Sequence, residues 1–243
     1  MSPTATTAAV TVEARFNGPL TSANGGYACG VVARHVDGPA EITLRRPVPL
    51  GVPLDLERHD DGHVTLHDGD TLLAEGEPAL PLDFEPPYRP SVAEAREAAR
   101  VGWGVHPEMF ARCYVCATPH DRHDGLGVHF GALPSHPEMT GALLIADATV
   151  PNREGLVDPE IVWAALDCPS YTPDLWQGAR PSLLARLTAE VLEPVALAEP
   201  VVVTGWSLGA DGRKHHSATA MLGADGRIIA RAQALWIEMR QGG

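Results

Sequence analysis

Once in each half, the chain alternates apolar and polar residues and then runs into a mainly apolar segment. Residues 10–16 (VTVEARF) have the period-two alternation of a half-buried strand, and residues 25–36 (GGYACGVVARHV) read as a helix without a polar face. In the second half, residues 141–150 (GALLIADATV) predict a strand. Residues 158–168 (DPEIVWAALDC) predict a helix with Asp158 as an acidic N-cap and Pro159 at the first helical position. Strand-like runs come next at residues 40–46 (AEITLRR) and 182–193 (SLLARLTAEVLE). After each comes one pattern, P-V-x-L-x-x-P-[LV]: PVPLGVPL from Pro47 and PVALAEPV from Pro194 match at a single constant offset. Each half then closes with a hairpin, turning at Asp68-Gly69 and at Asp225-Gly226.

A helix apolar on every side has to be buried all round, and a curved antiparallel sheet wrapped about it does that. Strand, apolar helix and a meander of strands is an order that resembles the hotdog fold. The whole chain resembles a double hotdog of the α+β class, over roughly residues 8–84 and 138–240. The implied division is an N-terminal hotdog over residues 1–84, a connecting segment over 85–137 and a C-terminal hotdog over 138–243. Two unrelated α+β domains sharing a chance match are the alternative. The connecting segment opens proline-rich, and Ser91-x-x-Glu94 predicts a capping box on a short alanine-rich helix.

Composition narrows the function. A hydrophobic share of 44% with 20% charged residues excludes a disordered chain. No apolar run approaches the roughly 20 residues that span a bilayer, and the N-terminus lacks a signal-peptide pattern, so a cytoplasmic protein away from membranes is expected. A formal charge of −13 argues against nucleic acid as a partner. Four cysteines, Cys29, Cys113, Cys116 and Cys168, are too few and too uneven for a disulfide framework, which leaves reduced thiols or a metal site.

Asp167 is the first candidate for chemistry. A carboxylate on so apolar a helix is desolvated, which raises its pKa as a working acid or base requires; the other reading is an aspartate that closes the helix before Pro169. Gly25 and Gly26 leave backbone N–H groups uncovered at a helix N-terminus, where the dipole favours a developing oxyanion. Alone, they also fit a plain turn.

The pattern is similar to that of hotdog acyl-CoA thioesterases of the phenylacetyl-CoA and 4-hydroxybenzoyl-CoA kinds. There [H/N]-G-G opens the helix, and an acidic residue about two turns later, typically from the partner subunit, attacks or activates water. Asn24-Gly25-Gly26 matches the motif, but nine residues after Asn24 stands Ala33; nine residues after Asp158 stands Asp167. Each half has what the other lacks. The resemblance therefore implies one composite site per chain: amides of Gly25 or Gly26 for the thioester carbonyl, Asp167 as general base or nucleophile, and Asn24 orienting substrate or water.

Ser182 falls where related thioesterases can carry a hydroxyl beside the water, or is a strand-edge serine. Lys214 or Arg180 are candidates for contact with CoA phosphates, since an acidic protein needs a local cation there. His215 and His216 should point to opposite faces of a strand. Cys113, Cys116, His120 and His123 form a compact C-x2-C-x3-H-x2-H set of zinc-competent ligands. A packed, reduced loop is the default, because C-Y-V-C with Asp124-Gly125-Leu126 after it is similar to a segment that recurs in double-hotdog proteins without obligatory histidines. The expected function is hydrolysis of an acyl-CoA or acyl-carrier thioester, with no cofactor, by a homodimer formed through exposed sheet edges. Alternatives are a non-catalytic acyl-CoA or lipophilic-ligand binding protein and, less well supported, an enoyl-CoA hydratase. The related hydratases carry an aspartate and a histidine five residues apart on the helix, a pair that neither helix has here.

Overall fold

A computed structural model describes residues 6–102, 108–117, 123–178 and 181–240. In chain order its elements are β1 (Thr6–Thr11), α1 (Gly25–Ala33), β2 (Ala40–Leu44), β3 (Pro53–Arg58), β4 (Val64–Asp68), β5 (Thr71–Pro78), α2 (Val92–Val101), β6 (Phe130–Ala132) and β7 (Thr140–Leu144). Then come β8 (Asn152–Arg153), β9 (Leu156–Val157), α3 (Pro159–Asp167), α4 (Pro173–Trp176), β10 (Ser182–Val191), β11 (Val201–Asp211), β12 (Lys214–Leu222) and β13 (Ile228–Glu238). Eleven strands form one antiparallel sheet in the order β1-β3-β4-β5-β2-β10-β13-β12-β11-β7-β6; β8 and β9 pair separately. The halves meet where β2 pairs with β10, Thr43 opposite Arg186 and Ala40 opposite Ala189. Outward from that seam, β2-β5-β4-β3-β1 on one side is matched by β10-β13-β12-β11-β7 on the other.

The apolar helices are buried for the reason their composition gives. Every residue of α3 from Glu160 to Asp167 is buried, as are six of the nine residues of α1. The two helices run antiparallel in contact. A methyl on Gly26 would lie 2.5 Å from Asp167 Cβ and 2.6 Å from the Trp163 carbonyl oxygen, and one on Gly30 would lie 2.7 Å from Glu160 Cα. Two glycines one turn apart thus bring the start of α1 against the end of α3, and the end of α1 against the start of α3. Side chains alternate along β11: Val201 and Val203 join the core around α1 and α3, while Val202 packs with Ala95 and Ala98 of α2. The short helix α2 therefore covers the opposite face of the sheet. Its capping box forms, with the Glu94 N–H donating to Ser91 Oγ and the Ser91 N–H to Glu94 Oε2.

Several expected boundaries shift. The first strand ends at Thr11, and residues 14–16 form a 3-10 turn instead of continuing the alternation. The turn lets Phe16 stack on Tyr27 with ring centroids 4.0 Å apart, while its carbonyl accepts from the Asn24 N–H at 2.8 Å. Likewise β7 stops at Leu144, because Asp147 Oδ1 accepts from the Thr149 N–H and closes a local turn. Asp158 occupies the N-cap position of α3 but makes no side-chain cap bond. The connecting segment also adds a strand to the sheet, since β6 pairs with β7. Among the described residues no helix is long and apolar enough to cross a membrane.

Candidate active site

The end of α3 delivers Asp167 to the start of α1. Asp167 is 3% exposed, and its Oδ2 accepts two hydrogen bonds, from the Gly26 N–H at 2.8 Å and from Asn24 Nδ2 at 3.0 Å. Glycine at 26 is what permits this, since any side chain there would occupy the position of the carboxylate stem. Asn24 uses both ends of its amide: Oδ1 caps α1 by accepting from the Tyr27 N–H at 2.9 Å, and Nδ2 holds Asp167. The polar atoms of Asn24 thus serve both its own helix and the carboxylate. An aspartate at 24 would set a second carboxylate against Asp167.

The last turn of α3 is held just as firmly. The Asp167 carbonyl accepts from Ser170 Oγ at 2.7 Å, and that hydroxyl in turn accepts from Trp236 Nε1 at 2.8 Å. Thr219 Oγ1 donates to the Leu166 carbonyl at 3.1 Å, and Thr140 Oγ1 to the Pro169 carbonyl at 2.6 Å. Hydroxyls from three places in the chain thereby satisfy carbonyls that a helix end leaves open, and they fix where Asp167 points.

Two polar atoms remain without partners at the centre of this arrangement. Asp167 Oδ1 is buried and has no hydrogen-bond partner among the described residues. The Gly25 N–H, at the first helical position, has no acceptor among them either, the amides of Gly26, Tyr27 and Ala28 being taken by Asp167 Oδ2, Asn24 Oδ1 and the Asn24 carbonyl. Of the two amides proposed from sequence, then, Gly26 is occupied and Gly25 is open. Burial pushes the Asp167 carboxyl up to about 7, against the lowering effect of the Gly26 N–H and with a further raising effect from Cys113.

Gly25 and Asp167 border a cavity of about 620 Å³, within the range of small-molecule sites. Leu44, Val48, Phe110, Phe130, Leu184 and Trp236 supply apolar wall, and Arg46, Arg213 and Arg240 also border it. These arginines, not the expected Lys214, stand at the cavity: Lys214 is exposed at the start of β12 and does not border it. Arg180 lies outside the described residues. Ser182 is fully buried as the first residue of β10, where its N–H donates to Tyr171 Oη at 3.3 Å, and it does not border the cavity. Ser182 is thus not a strand-edge serine, because β10 lies inside the sheet between β2 and β13 and its first residue is buried beside Tyr171. His215 and His216 point opposite ways, His215 lying 3.5 Å from Glu238 Oε1 and His216 being exposed.

Among the described residues, the compact Cys-His set does not assemble as spaced. Cys113 and Cys116 are buried, His123 is exposed, and His120 lies outside the described residues. The third buried sulfur beside the cysteines is Cys168, 3.8 Å from Cys113. Sequence spacing gave no signal for it, because the contact joins a loop to the C-cap of α3 more than fifty residues away.

No protein-family model matches the sequence, and no curated protein matches it. The folded chain is nevertheless similar over nearly its whole length to solved structures. One is a conserved protein of unknown function with hot dog fold from Alicyclobacillus acidocaldarius, 9% identical at a TM-score of 0.63, covering 96% of this chain and 93% of that one. The fold is the hotdog fold. Two further hotdog-like matches carry other names. A proposed thioesterase II from Thermobifida fusca YX is 15% identical at a TM-score of 0.63, covering 96% of this chain and 92% of that one. A tesB protein of Mycobacterium avium subs paratuberculosis is 12% identical at a TM-score of 0.59, covering 96% and 93%. At such identities the likeness speaks for the hotdog architecture, and chemistry has to be argued from the site.

Proposed function

We propose that the chain is a double-hotdog hydrolase that cleaves an acyl-CoA or acyl-carrier thioester at one composite site, between the start of α1 and the end of α3. The observation that carries this reading is the pairing of Asp167 with the Gly26 N–H and Asn24, which leaves Asp167 Oδ1 and the Gly25 N–H without a partner among the described residues, beside one largely apolar cavity. The matching strand orders on either side of the β2–β10 seam support the repeat, and the names of the similar structures support the reaction class.

In this mechanism the thioester carbonyl points at the Gly25 N–H, where the helix dipole adds partial positive charge. Asp167 takes a proton from water as that water attacks the carbonyl carbon. The tetrahedral intermediate collapses with cleavage of the carbon–sulfur bond, and the proton passes from Asp167 to the leaving thiolate. With Asp167 as nucleophile, its carboxylate displaces the thiolate from the carbonyl carbon to give an acyl-enzyme anhydride, and water then hydrolyses the anhydride to the free acid and the Asp167 carboxylate while the released proton goes to the thiolate. A carboxyl held near 7 matches either role at neutral pH. Arg46, Arg213 and Arg240 supply cations for CoA phosphates. The two edges of the sheet, β1 and β6, supply the surfaces for a homodimer.

A second reading has its own support. Because the Gly26 N–H and Asn24 are both taken up by Asp167, the carboxylate also serves as a cap for α1, as it would in a protein that only binds acyl-CoA. Thiol release from a panel of acyl-CoAs separates the two. The hydrolase reading expects turnover by the wild type and a loss of at least about 100-fold in Asp167→Asn. Equal turnover in Asp167→Asn removes Asp167 from the chemistry, and tight binding without turnover in the wild type favours the binding protein.

A further inference from the structure

Cys113, Cys116 and Cys168 are a site that the thioester reading does not use. They come from two distant segments, yet all three are buried and their Sγ atoms lie within 4.8 Å of one another. The Cys113–Cys168 separation is 3.8 Å. A disulfide would need about 2.05 Å. Tetrahedral ligands about 2.3 Å from a shared zinc ion stand about 3.8 Å apart, which is the separation observed. Among the described residues no fourth histidine, cysteine or carboxylate joins the group.

A second observation points the same way. Asn24 Nδ2, besides holding Asp167, lies 3.8 Å from the sulfurs of both Cys113 and Cys168. An N–H directed at two sulfurs is the kind of outer contact that orients thiolate ligands around a metal. The cysteines are also placed before any ion arrives. Cys113 and Cys116 share one turn, closed by the Ala117 N–H donating to the Cys113 carbonyl at 3.1 Å, and the Cys168 carbonyl accepts from the Tyr171 N–H at 3.0 Å. All three cysteines border the cavity.

We propose that Cys113, Cys116 and Cys168 form a trithiolate site for a zinc ion, whose fourth position is taken by water or another small ligand from the cavity. Three sulfur ligands select zinc over hard cations such as magnesium or calcium. Binding converts three thiols to thiolates and releases their protons to solvent. The ion ties the loop of Cys113 and Cys116 to the end of α3, one residue from Asp167. The proposal is independent of thioester hydrolysis, and its test uses no substrate.

The test is titration of the full chain, reduced and stripped with a chelator, with cobalt(II) alone. The expected result is one cobalt per chain, seen as thiolate-to-cobalt charge transfer together with the intense visible bands of tetrahedral cobalt, both abolished by added zinc. Cys168→Ser and Cys116→Ser should weaken binding at least about tenfold, whereas Cys29→Ser, whose buried thiol is outside the triad, should bind as the wild type does. Circular dichroism of each variant checks that it folds. Absence of cobalt bands in the fully reduced wild type overturns the proposal whatever the variants do, and so does undiminished binding by a folded Cys168→Ser.

Discussion

At the start of α1 the chain offers Asn24, Gly25 and Gly26; at the start of α3 it offers Asp158, Pro159 and Glu160. The cap residues have nearly the same backbone, φ −58° and ψ 135° at Asn24 against φ −61° and ψ 142° at Asp158. The next two residues differ in every respect that matters to an anion. Gly25 keeps an N–H open to the cavity, whereas Pro159 has none to offer. Gly26 admits a carboxylate from the facing helix. Glu160 brings its own carboxylate, buried and paired with Arg34 Nη1 at 2.8 Å from the far end of α1. The last residues differ in a complementary way, Ala33 ending α1 and Asp167 ending α3. A polar cleft of about 400 Å³ lies beside the α3 start, bordered by Glu13, Arg15, Tyr27, Asn152 and Glu160, but Pro159 offers it no amide at the first helical position, and α1 ends in Ala33 where α3 ends in Asp167. Two helix N-termini with the same entry geometry can thus differ in the whole of their chemistry through three residues.

The sharpest way to break the comparison is to give α1 the proline of α3. Gly25→Pro should fold, because Asn24 already has the extended backbone that precedes Pro159 in α3 and an added Cβ lies nearest Leu184, Cδ2 at 2.9 Å and Cβ at 3.1 Å, and Asp167 Oδ2 at 3.4 Å, so that a small shift of Leu184 makes room. It removes the proposed oxyanion donor, so kcat for thiol release should fall by about 100- to 1,000-fold while the thermal midpoint stays close to that of the wild type. An unchanged kcat would mean that the Gly25 amide does not meet the carbonyl.

A smaller effect is expected at the other end. Arg34→Ala leaves Glu160 buried without its partner; because Arg34 is about half exposed, the loss in urea denaturation should be only about 1 kcal/mol. Thiol release should not change. A fall in kcat like that of Gly25→Pro would reveal a second working site at α3.

The smallest effect belongs to α2, whose N-terminus is closed by a capping box and serves as the reference. The Ser91 N–H, the Tyr88 hydroxyl and the Ser91 side chain hold the Glu94 carboxyl down to about 2 from its ordinary 4.5. A depressed folded value means that this stabilisation is present above 4.5 and is lost as pH falls towards 2. Glu94→Gln should therefore lower stability by less than about 1 kcal/mol near neutral pH, and the difference between the two melting curves should vanish at acid pH. A difference that persists at low pH would assign the effect to packing and not to the charge.

Much of this was legible in the sequence, and the failures are physical. Asn24, Gly25, Gly26 and Asp167 could be paired before any fold was known only through the resemblance to the hotdog thioesterase motif, and the contact they make joins two antiparallel helices. The Asp68-Gly69 and Asp225-Gly226 turns and the Ser91–Glu94 box are local, and local signals survive folding. Cys168 beside Cys113, the hydroxyls that hold the end of α3, and the arginines of the cavity are long-range contacts with no sequence period. Strand ends at Thr11 and Leu144 went unread because tertiary docking of Phe16 and the Asp147 turn overrode an alternation that continues past both.

The most direct test of the composite site is a crystal structure of the chain with a non-hydrolysable acyl-CoA analogue. The analogue's carbonyl oxygen should lie about 3 Å from the Gly25 nitrogen, with Asp167 on the same side of the cavity as the carbonyl carbon. A carbonyl seated at the start of α3 beside Glu160, or one in the cavity but turned away from Gly25, would contradict it.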